Sequence, residues 1–249
     1  MTARILACYH LKGGVGKTAT AVNLAYAAAA AGRRVLVWDM DPQGAASYYF
    51  RIEPKVKGGA RKLVNEKRQV ADFIKASNFE NLDLMPADFS YRNLDLYLYR
   101  RGGATDRLQR LLAPVRSDYN YIILDCPPGI TLVSENVFQA VDALLIPLIP
   151  TYLSVRAYER VGRYLAKKQE IGPALLPFFS MVDRRRRLHR ELVENFHTDH
   201  PEILQTFIGY ASSVERMGEY RAPVQAFDRS SEAAAAFNSL WEEIAGRLA

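Results

Sequence analysis

The sequence predicts a doubly wound α/β fold, a mostly parallel sheet flanked by helices. Three observations point there. Apolar runs alternate with helical segments along the chain. The runs are continuously apolar, as in Y-I-I-L-D at 121–125 and A-L-L-I-P-L-I at 143–149, which suits strands covered on both faces. A Gly-rich turn separates the first run from an Ala-rich helix, the arrangement of a phosphate-binding loop.

The elements follow in order. Ile5 to Tyr9 is a short apolar run, so a strand is expected over 4–9, and the Ala-rich stretch 18–31 reads as a helix. Further strands are expected at 34–39, 82–86, 120–125, 143–148, 175–181 and 204–208. Further helices are expected at 91–112, 131–140, 153–169, 187–197 and 231–247. In the last, Phe237, Leu240, Trp241, Ile244 and Leu248 sit at helical spacing and are expected to pack on the sheet. Residues 51–70 are loop-like and shifted in composition, with Gly58-Gly59. The expectation is a single domain over 1–249 with a basic insertion around 51–75 and no internal repeat.

Composition narrows the function classes. The chain has 249 residues and 49% hydrophobic content, enough for a sizeable core. No run of 18 apolar residues occurs, and a strand begins by residue 5 with no signal-peptide core before it. Cys8 and Cys126 each stand in or at the end of a strand, and read as buried thiols suited to a reducing cytosol. Neither has a second cysteine near it, which argues against zinc and iron–sulfur sites. The net charge of +6 permits a polyanionic partner. The positive charge is concentrated in two places. Residues 51–75 hold Arg51, Lys55, Lys57, Arg61, Lys62, Lys67, Arg68 and Lys75, against Glu53, Glu66 and Asp72. Arg184, Arg185, Arg186, Arg187 and Arg190 form a run with no acid inside it, a candidate polyanion contact.

Three constellations carry chemistry. Residues 11–18 read L-K-G-G-V-G-K-T. Gly13, Gly14, Val15 and Gly16 would bring backbone N–H groups to phosphates, aided by the positive end of the helix that Thr18 and Ala19 open. Lys17 would reach the β/γ-phosphates, and the Thr18 hydroxyl would take a Mg²⁺. The second, W-D-M-D-P-Q-G at 38–44, sets Asp39 and Asp41 at the C-terminal end of a strand, where ligands bind in open α/β sheets. Alternation along a strand puts both carboxylates on one side. The third, Y-I-I-L-D-C-P-P at 121–128, delivers Asp125 from a buried strand toward a Mg²⁺-bound water.

The first loop departs from the common phosphate-loop pattern: Leu11 stands where the first glycine belongs, and Lys12 follows it. That variant, together with the D-x-D-P-Q-G and D-C-P-P-G strings, resembles the ParA/MinD family of deviant Walker A ATPases. The likeness extends through 140–161 and the closing segment 214–228 and beyond. It implies an ATPase using ATP and Mg²⁺. By the resemblance Lys12 crosses a dimer interface to the partner's nucleotide, Asp41 orients the attacking water, and Asp39 supports the Mg²⁺ shell. The adenine-side loop is implied near Pro223 and the strand end Ser180 to Asp183.

Departures from the family refine this. Partition members often carry I-P-R-N where this chain has I-G-Y-A-S-S at 208–213, so an arginine associated with DNA contact is missing. Arg184, Arg185, Arg186 and Arg187 are the candidates to replace it, with Lys55, Lys57, Arg61 and Lys62 second. The C-terminal segment carries Glu232, Glu242 and Glu243 against Arg247, unlike the basic membrane-binding helix that ends MinD-type proteins. The implied function is a cytoplasmic, nucleoid-associated positioning or partition ATPase. Its ATP-dependent homodimer would bind double-stranded DNA non-specifically and be released when a cargo adaptor protein stimulates hydrolysis. The alternative is a metabolic P-loop enzyme, a ligase similar to dethiobiotin synthetase.

Overall fold

The computed structural model describes residues 2–65, 69–102, 104–168 and 172–248, without the side chains of 197–199. Among the described residues seven strands form one sheet: β1 (Arg4–Cys8), β2 (Val35–Asp39), β3 (Lys75–Ala76), β4 (Leu82–Met85), β5 (Tyr121–Asp125), β6 (Ala143–Leu148) and β7 (Ala174–Phe179). Their spatial order is β3-β4-β2-β5-β1-β6-β7. All neighbours run parallel except the two-residue edge β3, which is antiparallel to β4.

Alternation within the strands splits the core in two. Ile5, Ala7 and Tyr9 face one layer with Leu36 and Trp38. Leu6 and Cys8 face the other with Val35 and Val37. Helices α1 (Lys17–Ala30) and α12 (Glu232–Arg247) pack on the second face. There Phe237, Leu240, Trp241 and Ile244 are buried, and Trp241 meets Tyr121 edge-on at 4.7 Å. The first face is covered by α3 (Gly59–Val64), α4 (Leu94–Arg100), α5 (Arg107–Leu112), α6 (Leu132–Ala140) and α7 (Tyr152–Lys168). The remaining helices are α2 (Ala45–Tyr49), α8 (Arg187–Asp199), α9 (Ser212–Glu215), α10 (Met217–Tyr220) and α11 (Val224–Phe227). Among the described residues no helix is long and apolar enough to cross a membrane.

Three expectations are corrected. The segment 51–75 is more than a loop: Val56, Ala60, Leu63, Val64, Val70 and Phe73 are buried in the core, while Lys55, Lys57, Arg61 and Lys62 turn outward together with Glu53 and Asp72. Glu66, Lys67 and Arg68 lie outside the described residues, as does Gln169 at the expected end of the 153–169 helix. The single helix expected over 91–112 is two, α4 and α5, divided where Gly102 takes a φ of 90°.

The strand expected at 204–208 forms no ladder. The segment touches β7 through Leu204 N donating to the Pro177 carbonyl (2.8 Å) and Ile208 N to the Phe179 carbonyl (2.9 Å), and an isolated bridge joins Val182 to Gly209. A step of two residues on β7, from 177 to 179, thus faces a step of four on the segment, from 204 to 208, so the regular register is lost between the two bonds, and Pro177 has no N–H to add another.

Candidate nucleotide site

The site forms where the C-terminal ends of β1, β2 and β5 meet. These strands are hydrogen-bonded neighbours, and their register sets Asp125 level with both Cys8 and Asp39. The glycine loop leaves β1 and enters α1 at Lys17. Gly14 and Gly16 take left-handed φ values of 74° and 95°. At Gly16 a Cβ would also stand 2.9 Å from the Ser180 hydroxyl, so both the backbone and the neighbour at the end of β7 require glycine there.

Lys17 is buried, and its ammonium donates to the Lys12 carbonyl at 3.2 Å. Burial lowers its pKa and the Asp125 carboxylate opposes that shift. Lys12 is exposed, and its backbone N–H donates to Nδ1 of the buried His10 at 3.0 Å. Burial pushes the His10 pKa down to about 4, so a neutral ring accepts from the loop. Sequence reading missed His10. Its position directly before the glycine loop is the only signal, and an isolated histidine carries little information.

The carboxylates differ in environment. Asp39 and Asp125 are fully buried, whereas Asp41 is half-buried at the mouth and accepts from Gln43 N at 2.9 Å. One oxygen of Asp39 accepts from both the N–H and the hydroxyl of Ser47, each at 2.7 Å, while the other has no partner among the described residues. Neither oxygen of Asp125 has a hydrogen-bond partner among the described residues, although the Thr18 hydroxyl lies beside it and favours its ionised form. Burial raises the Asp125 pKa well above the usual carboxylate range, and burial pushes Asp39 up to about 6. Buried carboxylate oxygens without partners are costly unless a cation or donor completes them. The described residues contain no set of three His, Cys, Asp or Glu side chains placed to hold a metal by themselves. A divalent ion here is therefore suited to the Thr18 hydroxyl, phosphate oxygens and water held by Asp39 and Asp125.

Other expected residues are placed around this centre. Val15 is buried beneath the loop, while Gly13, Thr18 and Ala19 remain at least partly accessible. Pro223 caps α11, and its neighbour Val224 donates to the Asn23 side chain of α1 at 2.8 Å, which ties that segment to the helix behind the phosphate loop. The Tyr9 hydroxyl donates to the Gly129 carbonyl at 2.9 Å, fixing the turn after Asp125.

The arginine run is exposed but not free of acids. Asp183, just before it, accepts from Arg185 at 2.9 and 3.0 Å and lies 3.7 Å from Arg186. Arg187 meets Glu191 at 2.6 Å, and Arg184 lies over the Phe207 ring at 5.2 Å. Two carboxylates, Asp183 and Glu191, thus offset part of the charge of the five arginines at 184–190.

With this geometry in place, likeness to known proteins becomes informative. The AAA domain family model matches residues 3–172. The chain is 31% identical to the sporulation initiation inhibitor protein Soj of Bacillus subtilis, covering 97% of this chain and 98% of Soj. It is 28% identical to the chromosome partitioning protein ParA of Myxococcus xanthus, covering 98% and 88%. The fold is shared with the cell division ATPase MinD of Pyrococcus furiosus, with a TM-score of 0.81 at 24% identity over 99% of this chain and 100% of that one. The glycine loop, the three carboxylates and these full-length likenesses agree: the chain belongs to the ParA/MinD family of P-loop ATPases.

Proposed function

We propose that the protein is a positioning or partition ATPase whose ATP-bound form binds DNA and whose hydrolysis, stimulated by an adaptor, releases it. The observation that carries this reading is the pair of buried, incompletely satisfied carboxylates, Asp39 and Asp125, level on adjacent strands beside Lys17 and the glycine loop.

In this reading the N–H groups of residues 13–19 cradle the phosphates, and Lys17 leaves the Lys12 carbonyl to meet the β/γ-phosphates. Thr18 ligates Mg²⁺, which when bound offsets charge on the phosphate oxygens. Asp125 and Asp39 hold its water shell, and Asp41, at the mouth, orients the attacking water. Lys12, exposed beside the loop, crosses to a second copy's nucleotide in a sandwich dimer. The chain is a single domain, with Pro223 and Ser180 to Asp183 on the adenine side. The dimer contacts double-stranded DNA through Arg184 to Arg187, and the protein works in the cytoplasm on the nucleoid. The adaptor marks a cargo such as a plasmid, a chromosome or a protein assembly.

ATP turnover measured alone, with duplex DNA, and with DNA plus the product of the adjacent gene tests this. Slow basal turnover that rises with both additions is expected. Turnover that depends instead on a small carboxylate substrate would support the metabolic ligase and defeat the proposal.

A further inference from the structure

Arg51 and Arg221 each take a left-handed backbone, with φ of 58° and 48°. Among the described residues only Asn81 and Met181 share that feature outside glycine. Asparagine visits this region readily, whereas arginine gains nothing from it locally. Arg51 stands just after α2, and Arg221 just after α10. Helices commonly end on a left-handed residue, but that residue is usually glycine. An arginine held there against its backbone preference points to a task for its side chain.

The two side chains cap each other's helices. Arg51 Nη2 donates to the Tyr220 carbonyl at 2.9 Å, and its Nε to the Arg221 carbonyl at 3.3 Å. Arg221 Nε donates back to the Tyr48 carbonyl at 3.2 Å, and its guanidinium lies 4.6 Å from the centre of the Tyr48 ring. The Tyr48 hydroxyl adds a bond to the Gly218 carbonyl at 3.1 Å. Carbonyls at a helix C-terminus lack partners in their own helix and carry partial negative charge, so a cation suits each end.

Both sides of this lock lead to the nucleotide site. α2 follows the D-P-Q-G turn directly, and its Ser47 donates twice to Asp39. On the other side, Val224 N donates to the side-chain oxygen of Asn23 at 2.8 Å, and Gln225 Nε2 to the Asn23 carbonyl at 3.2 Å. Asn23 belongs to α1, the helix that begins at Lys17. A path of short segments and hydrogen bonds thus runs from Asp39 through α2, the two arginines and residues 218–225 to the helix that carries Lys17 and Thr18.

We propose that Arg51 and Arg221 are positioning residues for ATP cleavage: by locking α2 to residues 218–221 they hold the Asp39–Asp41 turn in register with the phosphate loop. The inference deepens the proposed function and rests on the roles given there to Asp39 and Asp41. The lock lies at the surface, where Tyr48 is 48% exposed, so opening it should leave the fold intact. Its effect is on placement, and a shift of about 1 Å in reacting groups can cost roughly a hundredfold in rate.

The test follows a single turnover of ATP by the full chain with Mg²⁺ and without DNA or adaptor. Arg51→Ala and Arg221→Gly should each slow cleavage by about tenfold or more. Glycine is chosen at 221 because it suits the left-handed backbone. MgATP affinity by calorimetry and the thermal midpoint should stay near wild type. Tyr48→Phe loses one bond and keeps the ring, so it should slow cleavage in the same sense, and it carries the test where a larger change disturbs folding. Arg51→Lys keeps a donor for the Tyr220 carbonyl and should recover part of the rate. Combining Arg51→Ala with Arg221→Gly should cost no more than either alone, because both changes open one lock. Wild-type cleavage in Arg51→Ala or Arg221→Gly, or an affinity loss as large as the rate loss, overturns the proposal. So does a double variant whose loss is the product of the two single losses. Asp41→Ala in the same assay separates the two claims. If it too cleaves at the wild-type rate, the proposed role of the turn fails; if it loses cleavage while the arginine variants keep it, only the lock fails.

Discussion

Ser47 donates twice to a single oxygen of Asp39, from its backbone N–H and from its hydroxyl, each at 2.7 Å. The same hydroxyl accepts from the N–H of Ala87 at 3.0 Å. A buried serine thus fixes one face of the Asp39 carboxylate and leaves the other oxygen without a partner, on the strand beside Asp125.

Ser47→Ala removes the hydroxyl from both bonds and leaves the Ala87 N–H buried and unpaired. A cost of about 1–3 kcal/mol in unfolding free energy is expected, read as a lower midpoint in urea. Ser47→Thr should recover much of it. An unchanged midpoint in Ser47→Ala would remove the network from the account.

Asp125→Asn should separate folding from ligand binding. A carboxylate whose folded pKa is raised binds protons more tightly in the folded state, so its contribution to stability falls as pH rises past its unfolded value. For Asp39 the decline runs from 3.8 to about 6, and for Asp125 it continues higher. The nucleotide-free Asp125→Asn protein should therefore melt above wild type, by a margin that grows as pH rises. MgATP should stabilise wild type and fail to stabilise the variant. A variant that melts below wild type at every pH contradicts the burial argument.

Lys17→Ala should weaken MgATP by about 2–5 kcal/mol, roughly thirtyfold or more, because a buried charge contact to the phosphates is lost. Isothermal calorimetry measures this directly. Affinity equal to wild type would show that the glycine loop does not hold phosphate in the manner described.

Replacing Arg184, Arg185, Arg186 and Arg187 with alanine should change stability little, since exposed ion pairs such as Arg185–Asp183 contribute only about 0–1 kcal/mol. Duplex DNA affinity should nevertheless fall for all sequences, and the dependence on salt should flatten. DNA binding with an unchanged salt slope would place the contact elsewhere on the surface.

The sequence exposes the site better than its supports. Gly14, Gly16, Lys17 and Asp125 were legible because their residue types answer to backbone geometry and charge at fixed spacing. Ser47 and His10 act through single hydrogen bonds that the fold creates between distant segments, and no local pattern marks them. The parallel strands were legible from their apolar runs. The 204–208 segment looked the same but bonds to β7 at only two points out of regular register, which depends on how the chain lies against that strand. The basic run at 184–187 was legible as charge, but its pairing in part with Asp183 and Glu191 depends on side-chain geometry at the start of α8.

In the proposed cycle ATP, held by this loop and cleaved with the help of Asp41, switches the chain between two states. Light scattering on a sizing column with Asp41→Ala and MgATP tests it most directly, with the nucleotide in the peak identified afterwards. A species of twice the monomer mass containing uncleaved ATP is expected, absent when Lys12→Ala is combined with Asp41→Ala. A monomer peak with ATP bound, or a peak containing ADP, would contradict it.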